Sequence, residues 1–217
     1  MSIRSLIEKE RFIALARHVP LADIAGLVKA LEDGGIRLLE ITFDPCDPDT
    51  LRTTQKAIKT AVSAGMATGA GTVLSVEAVE AACDAGAQFI VSPNTDEQVM
   101  ARTKELGRLS IPGAFTPTEI VKAHQMGADI VKVFPVLPHQ LDYVKVLTGP
   151  LPHIPIMVTG GVNPGNAADF INAGATAVAA GATIVSPAAL RARDWRQITE
   201  RARAHVDAIR EGTQHAG

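Results

Sequence analysis

This 217-residue chain has only two cysteines, Cys46 and Cys83. Two thiols build no disulfide framework, and neither has metal-ligand spacing, so a disulfide-stapled secreted scaffold and a zinc module are both excluded. No run of about eighteen apolar residues occurs, so no membrane-spanning helix is expected. Met1 to Lys9 carries charges within a few residues of each apolar one. That leaves no h-region for a secretory signal, and a reducing cytoplasm is the expected compartment. Charge excess is missing too: the formal net charge is −2, with Lys and Arg spread along the chain. A nucleic-acid footprint is therefore not expected. No linker or low-complexity run divides the sequence, so a single domain over residues 1–217 is predicted. Apolar residues make up 47% of the chain, which is rich in core for a globular protein.

What is present is a loose internal repeat. Helix-like segments end in a small residue and Gly, and an apolar run follows at once. The instances are Asp33-Gly34-Gly35-Ile36, Ser63-Ala64-Gly65-Met66, Asp84-Ala85-Gly86-Ala87, Gln125-Met126-Gly127-Ala128 and Asn172-Ala173-Gly174-Ala175. Glycine at such a point ends a helix in the left-handed conformation. Strands are predicted at Phe12–Arg17, Leu38–Phe43, Ala67–Thr72, Phe89–Ser92, Leu109–Pro112, Ile130–Phe134, Ile156–Thr159 and Ala177–Gly181. Helices are predicted at Leu21–Asp33, Thr50–Ser63, Val76–Ala85, Asp96–Leu106, Pro117–Met126, Leu141–Leu147, Pro164–Ala173 and Pro187–Arg210. Ser75, Thr116-Pro117 with Glu119, and Asn163-Pro164 supply helix starts. Strict alternation implies a parallel sheet buried on both faces, and eight units predict an α/β fold, a compact (β/α)8 TIM barrel. An open doubly wound sheet is the alternative. It would want a glycine-rich fingerprint after the first strand, where Arg17-His18-Val19-Pro20 stands instead. Trp195 to Arg210 reads as a charged amphipathic helix that closes the barrel.

One predicted strand carries a lysine. In Gly127-Ala128-Asp129-Ile130-Val131-Lys132-Val133-Phe134-Pro135, Lys132 lies within an apolar run, whereas the other seven lysines have polar or helix-like surroundings. A buried ammonium is costly, and a lysine forced towards its neutral form is a nucleophile for carbonyl carbon. The plainer alternative is a strand-end lysine that snorkels to solvent or pairs with a carboxylate.

Barrels collect chemistry at the C-terminal ends of their strands. Strand two brings Glu40 and Thr42, which share one face. A carboxylate facing Lys132 could move protons in Schiff-base chemistry through a bound water. A buried Lys132–Glu40 ion pair without catalysis is the competing reading. After strand seven, Gly160-Gly161 followed by Asn163-Pro164 reads as an anion site at a helix N-terminus, or as a mere tight turn.

The motifs Leu39-Glu40-Ile41-Thr42, Gly69-Ala70-Gly71-Thr72-Val73, Phe89-Ile90-Val91-Ser92-Pro93, Pro112-Gly113, Lys132-Val133-Phe134-Pro135 and Thr159-Gly160-Gly161-Val162 occur in order. From about residue 12 to about residue 185 the chain resembles the 2-keto-3-deoxy-6-phosphogluconate (KDPG) / 4-hydroxy-2-oxoglutarate (KHG) aldolases. That resemblance implies a homotrimeric class I pyruvate aldolase on a (β/α)8 barrel, with no metal and no cofactor beyond the substrate imine. By the same resemblance Lys132 forms the Schiff base and Glu40 is the general acid/base. Thr42 shares the face of Glu40. Thr72 and Pro93 line the pyruvate half, and Phe134 packs beside the imine. Thr159, Gly160 and Gly161 hold the far end, together with Gly181 and Ala182. Two positions depart from many members. Asp44 stands where an Arg often binds the pyruvyl carboxylate, a role Arg17 could take bidentately. Ala182 stands where a Ser often binds phosphate, with Thr183 as a possible replacement.

The leading expectation is cleavage of a 2-keto-4-hydroxy acid to pyruvate and an aldehyde. The substrate would be 2-dehydro-3-deoxy-6-phosphogluconate, 4-hydroxy-2-oxoglutarate or both, giving glyceraldehyde 3-phosphate or glyoxylate. An unphosphorylated or epimeric keto acid, another phosphate-binding barrel such as an epimerase or isomerase, and a non-catalytic sugar-acid binder are the alternatives. Beyond this small-molecule partner, neither nucleic acid nor membrane is expected to bind.

Overall fold

The structure, a computed structural model, describes residues 1–214. The last three residues of the predicted domain, 215–217, lie outside the described residues. The chain opens with helix α1 (Ile3–Glu10) and then alternates: β1 (Phe12–Ala16), α2 (Ile24–Asp33), β2 (Leu38–Thr42), α3 (Thr50–Ser63), β3 (Ala67–Gly71), α4 (Val76–Asp84), β4 (Phe89–Val91) and α5 (Glu97–Glu105). It continues through β5 (Leu109–Ile111), β6 (Gly113–Ala114), α6 (Pro117–Gln125), β7 (Val131–Val133), α7 (Leu141–Thr148), β8 (Ile156–Thr159), α8 (Ala167–Asn172), β9 (Ala177–Ala180), α9 (Pro187–Arg191) and α10 (Trp195–Gln214).

All nine strands pair in parallel in the order β5-β4-β3-β2-β1-β9-β8-β7-β6. The two ends of that order, β5 and β6, are halves of one stave parted at Pro112, so the sheet closes on itself. Proline has no N–H to give the ladder. Its carbonyl still accepts from the Lys132 N–H at 2.8 Å, and Asp129 Oδ2 accepts from Ser110 N–H across the same seam. The eight staves and their helices are the (β/α)8 barrel that the alternation predicted.

Two apolar layers result. Helix faces and outward strand positions, among them Leu31, Ile58, Val79, Ile120 and Phe170, form the larger core. Inward positions Ile13, Leu38, Phe89, Leu109, Ile130, Met157 and Ala177 fill the barrel. Ile7 of α1 is fully buried in that inner cluster. Helix α1 therefore stoppers the barrel at the N-terminal ends of the strands, a role no sequence pattern announced.

The glycines of the repeat do what was expected of them: Gly35, Gly65, Gly86, Gly127 and Gly174 all have positive φ, from 90° to 104°. Ser75 caps α4, and Thr116 with Glu119 forms a full capping box on α6. Two helix boundaries differ from the prediction. Residues predicted as one helix over Pro187–Arg210 form α9 and α10, separated by a turn in which Arg193 takes φ 50°. Arg193 Nε pins that turn to Asp23 Oδ1 at 2.8 Å. The helix predicted from Pro164 begins only at Ala167. Helix α10 packs between α2 and α8 and completes the outer ring. Among the described residues no helix is long and apolar enough to cross a membrane.

Candidate active site

Strand parity carries the two chemical side chains inward. Register pairs Leu15 with Glu40 and Glu40 with Gly69; across the barrel it pairs Gly113 with Lys132 and Lys132 with Met157. Glu40 is 0% exposed and Lys132 5% exposed. Neither oxygen of Glu40 has a hydrogen-bond partner among the described residues. The space that its carboxylate fills is the side chain that Gly71 lacks, since a β-carbon there would overlap Oε1. Burial raises the Glu40 carboxyl above the usual carboxylate range, and the nearby positive charges of Lys132 and then Arg17 pull it partly back. Lys132 Nζ lies 5.0 Å from the centroid of the Phe134 ring, on the same strand face. Its ammonium has no hydrogen bond or ion pair among the described residues. The positive charge of Lys132 is felt by the buried acid without a hydrogen bond tying the two side chains together.

Above them a cavity of about 490 Å³ opens at the C-terminal ends of the strands. Arg17, Phe134, Thr159, Gly160, Gly161, Gly181 and Ala182 all line it. Thr159 Oγ1 is buried there without a partner among the described residues. The backbone N–H groups of Gly160, Gly161, Ala182 and Thr183 have no acceptor among the described residues. Gly160 and Gly161 reach this conformation through φ of 105° and 60°, and a β-carbon on Gly160 would press on the Val136 backbone. Free N–H groups in such a bend make an anion cradle.

The cradle is built by loops, which corrects the expected helix N-terminus at Asn163-Pro164. Asn163 and Asn166 turn their amides back to donate to the Gly161 carbonyl at 3.2 and 3.0 Å, and α8 starts one residue later. Thr183 does not replace the missing serine hydroxyl either, because its own hydroxyl sits within reach of Val162 O and His205 Nε2.

The remaining predicted residues sit nearby. Pro93 lines an adjoining cavity of about 430 Å³ that shares Phe134 as its wall. Thr42 points its hydroxyl at the Ala16 carbonyl, at 3.4 Å. Thr72 follows Gly71 in a left-handed bend, φ 55°, at the end of β3, and lines neither cavity. Asp44 is engaged at the rim: Oδ2 lies 3.1 Å from His18 Nδ1, and Oδ1 accepts from Cys46 N–H at 2.9 Å. Arg17 has no partner among the described residues. His18 lines the same cavity beside it, a residue that sequence reasoning does not single out. Only its position directly after Arg17 at a strand end could have flagged it.

Lys132 and Glu40 line neither cavity themselves, but Lys132 lies behind Phe134, which walls both, so a nucleophilic amine and an unpartnered acid sit close to the anion cradle. That set can hold an anionic carbonyl compound, form an imine with it and move protons beside it. The comparisons agree in kind. A probable 2-dehydro-3-deoxy-6-phosphogalactonate aldolase of Rhizobium meliloti is 34% identical over 93% of this chain and 94% of its own length. The KHG/KDPG aldolase of Escherichia coli K12 is 31% identical over 89% of this chain and 86% of its own. A solved structure described as native KDPGal superposes with a TM-score of 0.82 at 32% identity, covering 94% of this chain and 96% of its own. A KDPG aldolase from Legionella pneumophila, with pyruvate captured at low pH as a covalent carbinolamine intermediate, superposes with a TM-score of 0.81 at 25% identity, over 94% and 98%. The family model for KDPG and KHG aldolases matches residues 3–201, and the chain belongs to that family.

Proposed function

We propose that this protein is a class I aldehyde-lyase that splits a 2-keto-3-deoxy-6-phospho sugar acid into pyruvate and glyceraldehyde 3-phosphate. The observation that carries this reading is a buried lysine near a fully buried glutamate, neither with a hydrogen-bond partner among the described residues, in the barrel whose strand-end loops form the anion cradle. Lys132 Nζ adds to the C2 carbonyl, and the carbinolamine loses water to give the protonated imine. Glu40 takes the C4 hydroxyl proton, directly or through a water. The C3–C4 bond breaks, its electron pair enters the imine as an enamine, and the aldehyde departs. Glu40 returns a proton to C3, and water hydrolyses the imine to free pyruvate and Lys132. The protonated imine is the electron sink, so the reaction needs neither metal nor organic cofactor. A raised Glu40 pKa suits a group that must both accept and return a proton near neutrality.

Arg17 receives the pyruvyl carboxylate. Thr42, Thr72, Pro93 and Phe134 shape the pyruvate half. Thr159, Gly160, Gly161, Gly181 and Ala182 receive the phosphate end. The C4-epimeric galactonate backbone is a second reading of substrate beside the gluconate one, favoured by relatives of both names at 32–34% identity. The assembly in this reading is a homotrimer in the cytoplasm. A designed cage of fused symmetric oligomeric domains, which matches 94% of the chain with a TM-score of 0.83, supports a symmetric oligomer.

The test is chemical trapping. Pyruvate plus borohydride should leave a reduced adduct on Lys132 alone, and Lys132→Ala should abolish cleavage with the fold intact. An adduct mapped to Lys122 or Lys145, or full activity in the variant, sinks the assignment.

A further inference from the structure

The hydroxyl of Thr183, in the loop after β9, lies 3.2 Å from the carbonyl oxygen of Val162, in the loop after β8. The same hydroxyl lies 3.1 Å from Nε2 of His205 on α10. The other ring nitrogen, Nδ1, is 2.8 Å from the Arg201 carbonyl one turn earlier. A carbonyl only accepts, so Nδ1 carries the proton. In the neutral ring Nε2 keeps a lone pair, and Thr183 donates, its single proton shared between Nε2 and the Val162 oxygen. His205 is 1% exposed, with its ring 5.4 Å from that of Phe12 on β1, so packing holds the imidazole in place. Burial lowers its pKa, against a smaller upward effect of the Arg201 carbonyl, which favours the neutral ring.

This chain of contacts joins the two loops that supply the anion cradle. Val162 follows Gly160 and Gly161, and Thr183 follows Ala182. With alanine at position 182 the cradle has no hydroxyl of its own there. Its affinity then rests on the Thr159 hydroxyl and on how four backbone N–H groups are aimed, and that aim depends on holding one loop against the other. The imidazole does not line the cavity of about 490 Å³ and touches the loops there through Thr183.

We propose that His205 is a positioning residue for the anionic end of the substrate: through Thr183 it locks the loops after β8 and β9 into one anion-binding unit. The inference rests on the aldolase reading for its substrate and on the geometry alone for its anion. It predicts that the far end of the site can be loosened from the outer helix layer without touching the imine chemistry.

The experiment uses the full-length chain with His205→Phe, which keeps an aromatic ring on Phe12, and with Thr183→Val, Thr183→Ser and the His205→Phe/Thr183→Val pair. Inorganic phosphate binding is measured by calorimetry. Cleavage is measured for 2-keto-3-deoxy-6-phosphogluconate and its unphosphorylated analogue, and pyruvate C3 proton exchange for the imine end. Loss of one hydrogen bond should raise the phosphate Kd and the KM of the phosphorylated substrate about 3- to 10-fold. In His205→Phe exchange should stay unchanged. Thr183→Ser should bind phosphate like the parent, and the pair should be no worse than Thr183→Val alone. Equal losses for the phosphorylated and unphosphorylated substrates, an unmoved phosphate Kd in a folded variant, or additive effects in the pair would overturn the proposal. Thr183→Val lies in an exposed loop and decides the question if phenylalanine at 205 does not fold. A parent protein that exchanges no pyruvate protons would refute the aldolase reading instead, while the phosphate arm still judges His205.

Discussion

At Glu40 two requirements pull against each other. The site needs a carboxylate near neutrality, and the barrel interior gives it no hydrogen bond. Glu40→Gln keeps the shape and removes the titration. Pyruvate C3 exchange should fall by about 10² to 10⁴-fold; an unchanged rate would remove Glu40 from the proton path. The same variant carries a stability signature. A carboxyl whose pKa is raised on folding binds its proton more tightly in the native state. The stability this gives is fully present below the unfolded value of 4.5 and is lost as pH rises through the folded pKa. Glu40→Gln should therefore exceed the parent in stability at alkaline pH, by about 1–3 kcal/mol or more for a charged unpartnered group. The gap should shrink as pH falls towards 4.5, which thermal melts across pH can follow. Arg17 is the matching test for the substrate carboxylate. Arg17→Ala should weaken pyruvate binding roughly 10- to 150-fold, the worth of one charge-assisted contact. If Asp44→Arg strengthens binding while Arg17→Ala changes nothing, the carboxylate lies elsewhere.

Most staves were legible because each is announced twice, by an apolar run and by the glycine that ends the helix before it; β1 and β8 were read from the apolar run alone. Lys132 and Glu40 stood out for the same reason: a charge inside an apolar strand has few places to go. Helix α1 was not legible, because Arg4, Glu8, Lys9 and Glu10 dilute its pattern and only Ile7 is fully buried, with Ile3 and Leu6 packed partly against the same cluster. The break between α9 and α10 was hidden because the Arg193–Asp23 pair that holds it joins residues far apart in sequence. The link from Thr183 to His205 is also tertiary. One hint existed: Ile198, Ala202, His205, Val206 and Ile209 all fall on the buried face of α10, and a histidine on an apolar stripe invites a partner. The α1 reading is testable in isolation. Ile7→Ala empties a fully buried position in the barrel floor, a change that costs about 2–5 kcal/mol. Chemical denaturation should register that loss while pyruvate trapping at Lys132 persists. A stability change within error would mean that α1 does not close the barrel.

Across the whole molecule, chemistry and specificity occupy different depths. The amine and the acid lie within the barrel, whereas the anion cradle sits on loops at its mouth. Substitutions at the mouth should therefore change which substrate is preferred more than how fast the bond breaks. Ala182→Ser adds a hydroxyl beside the free N–H groups and should raise kcat/KM for the phosphorylated substrate up to about 10-fold over 4-hydroxy-2-oxoglutarate. An unaltered ratio would mean that residue 182 does not meet the phosphate. The proposed trimer predicts a sedimenting mass three times the 22.8 kDa of one chain, and a 22.8 kDa species at micromolar concentration would refute it. The floor sealed by Ile7 has one more consequence, for traffic. A vessel with a single door must empty in the reverse of the order in which it was filled. If the proposed imine forms at Lys132, pyruvate should be the last product out during cleavage and the first reactant in during synthesis. Added pyruvate should then act as a competitive inhibitor against the keto acid, and the aldehyde should inhibit noncompetitively.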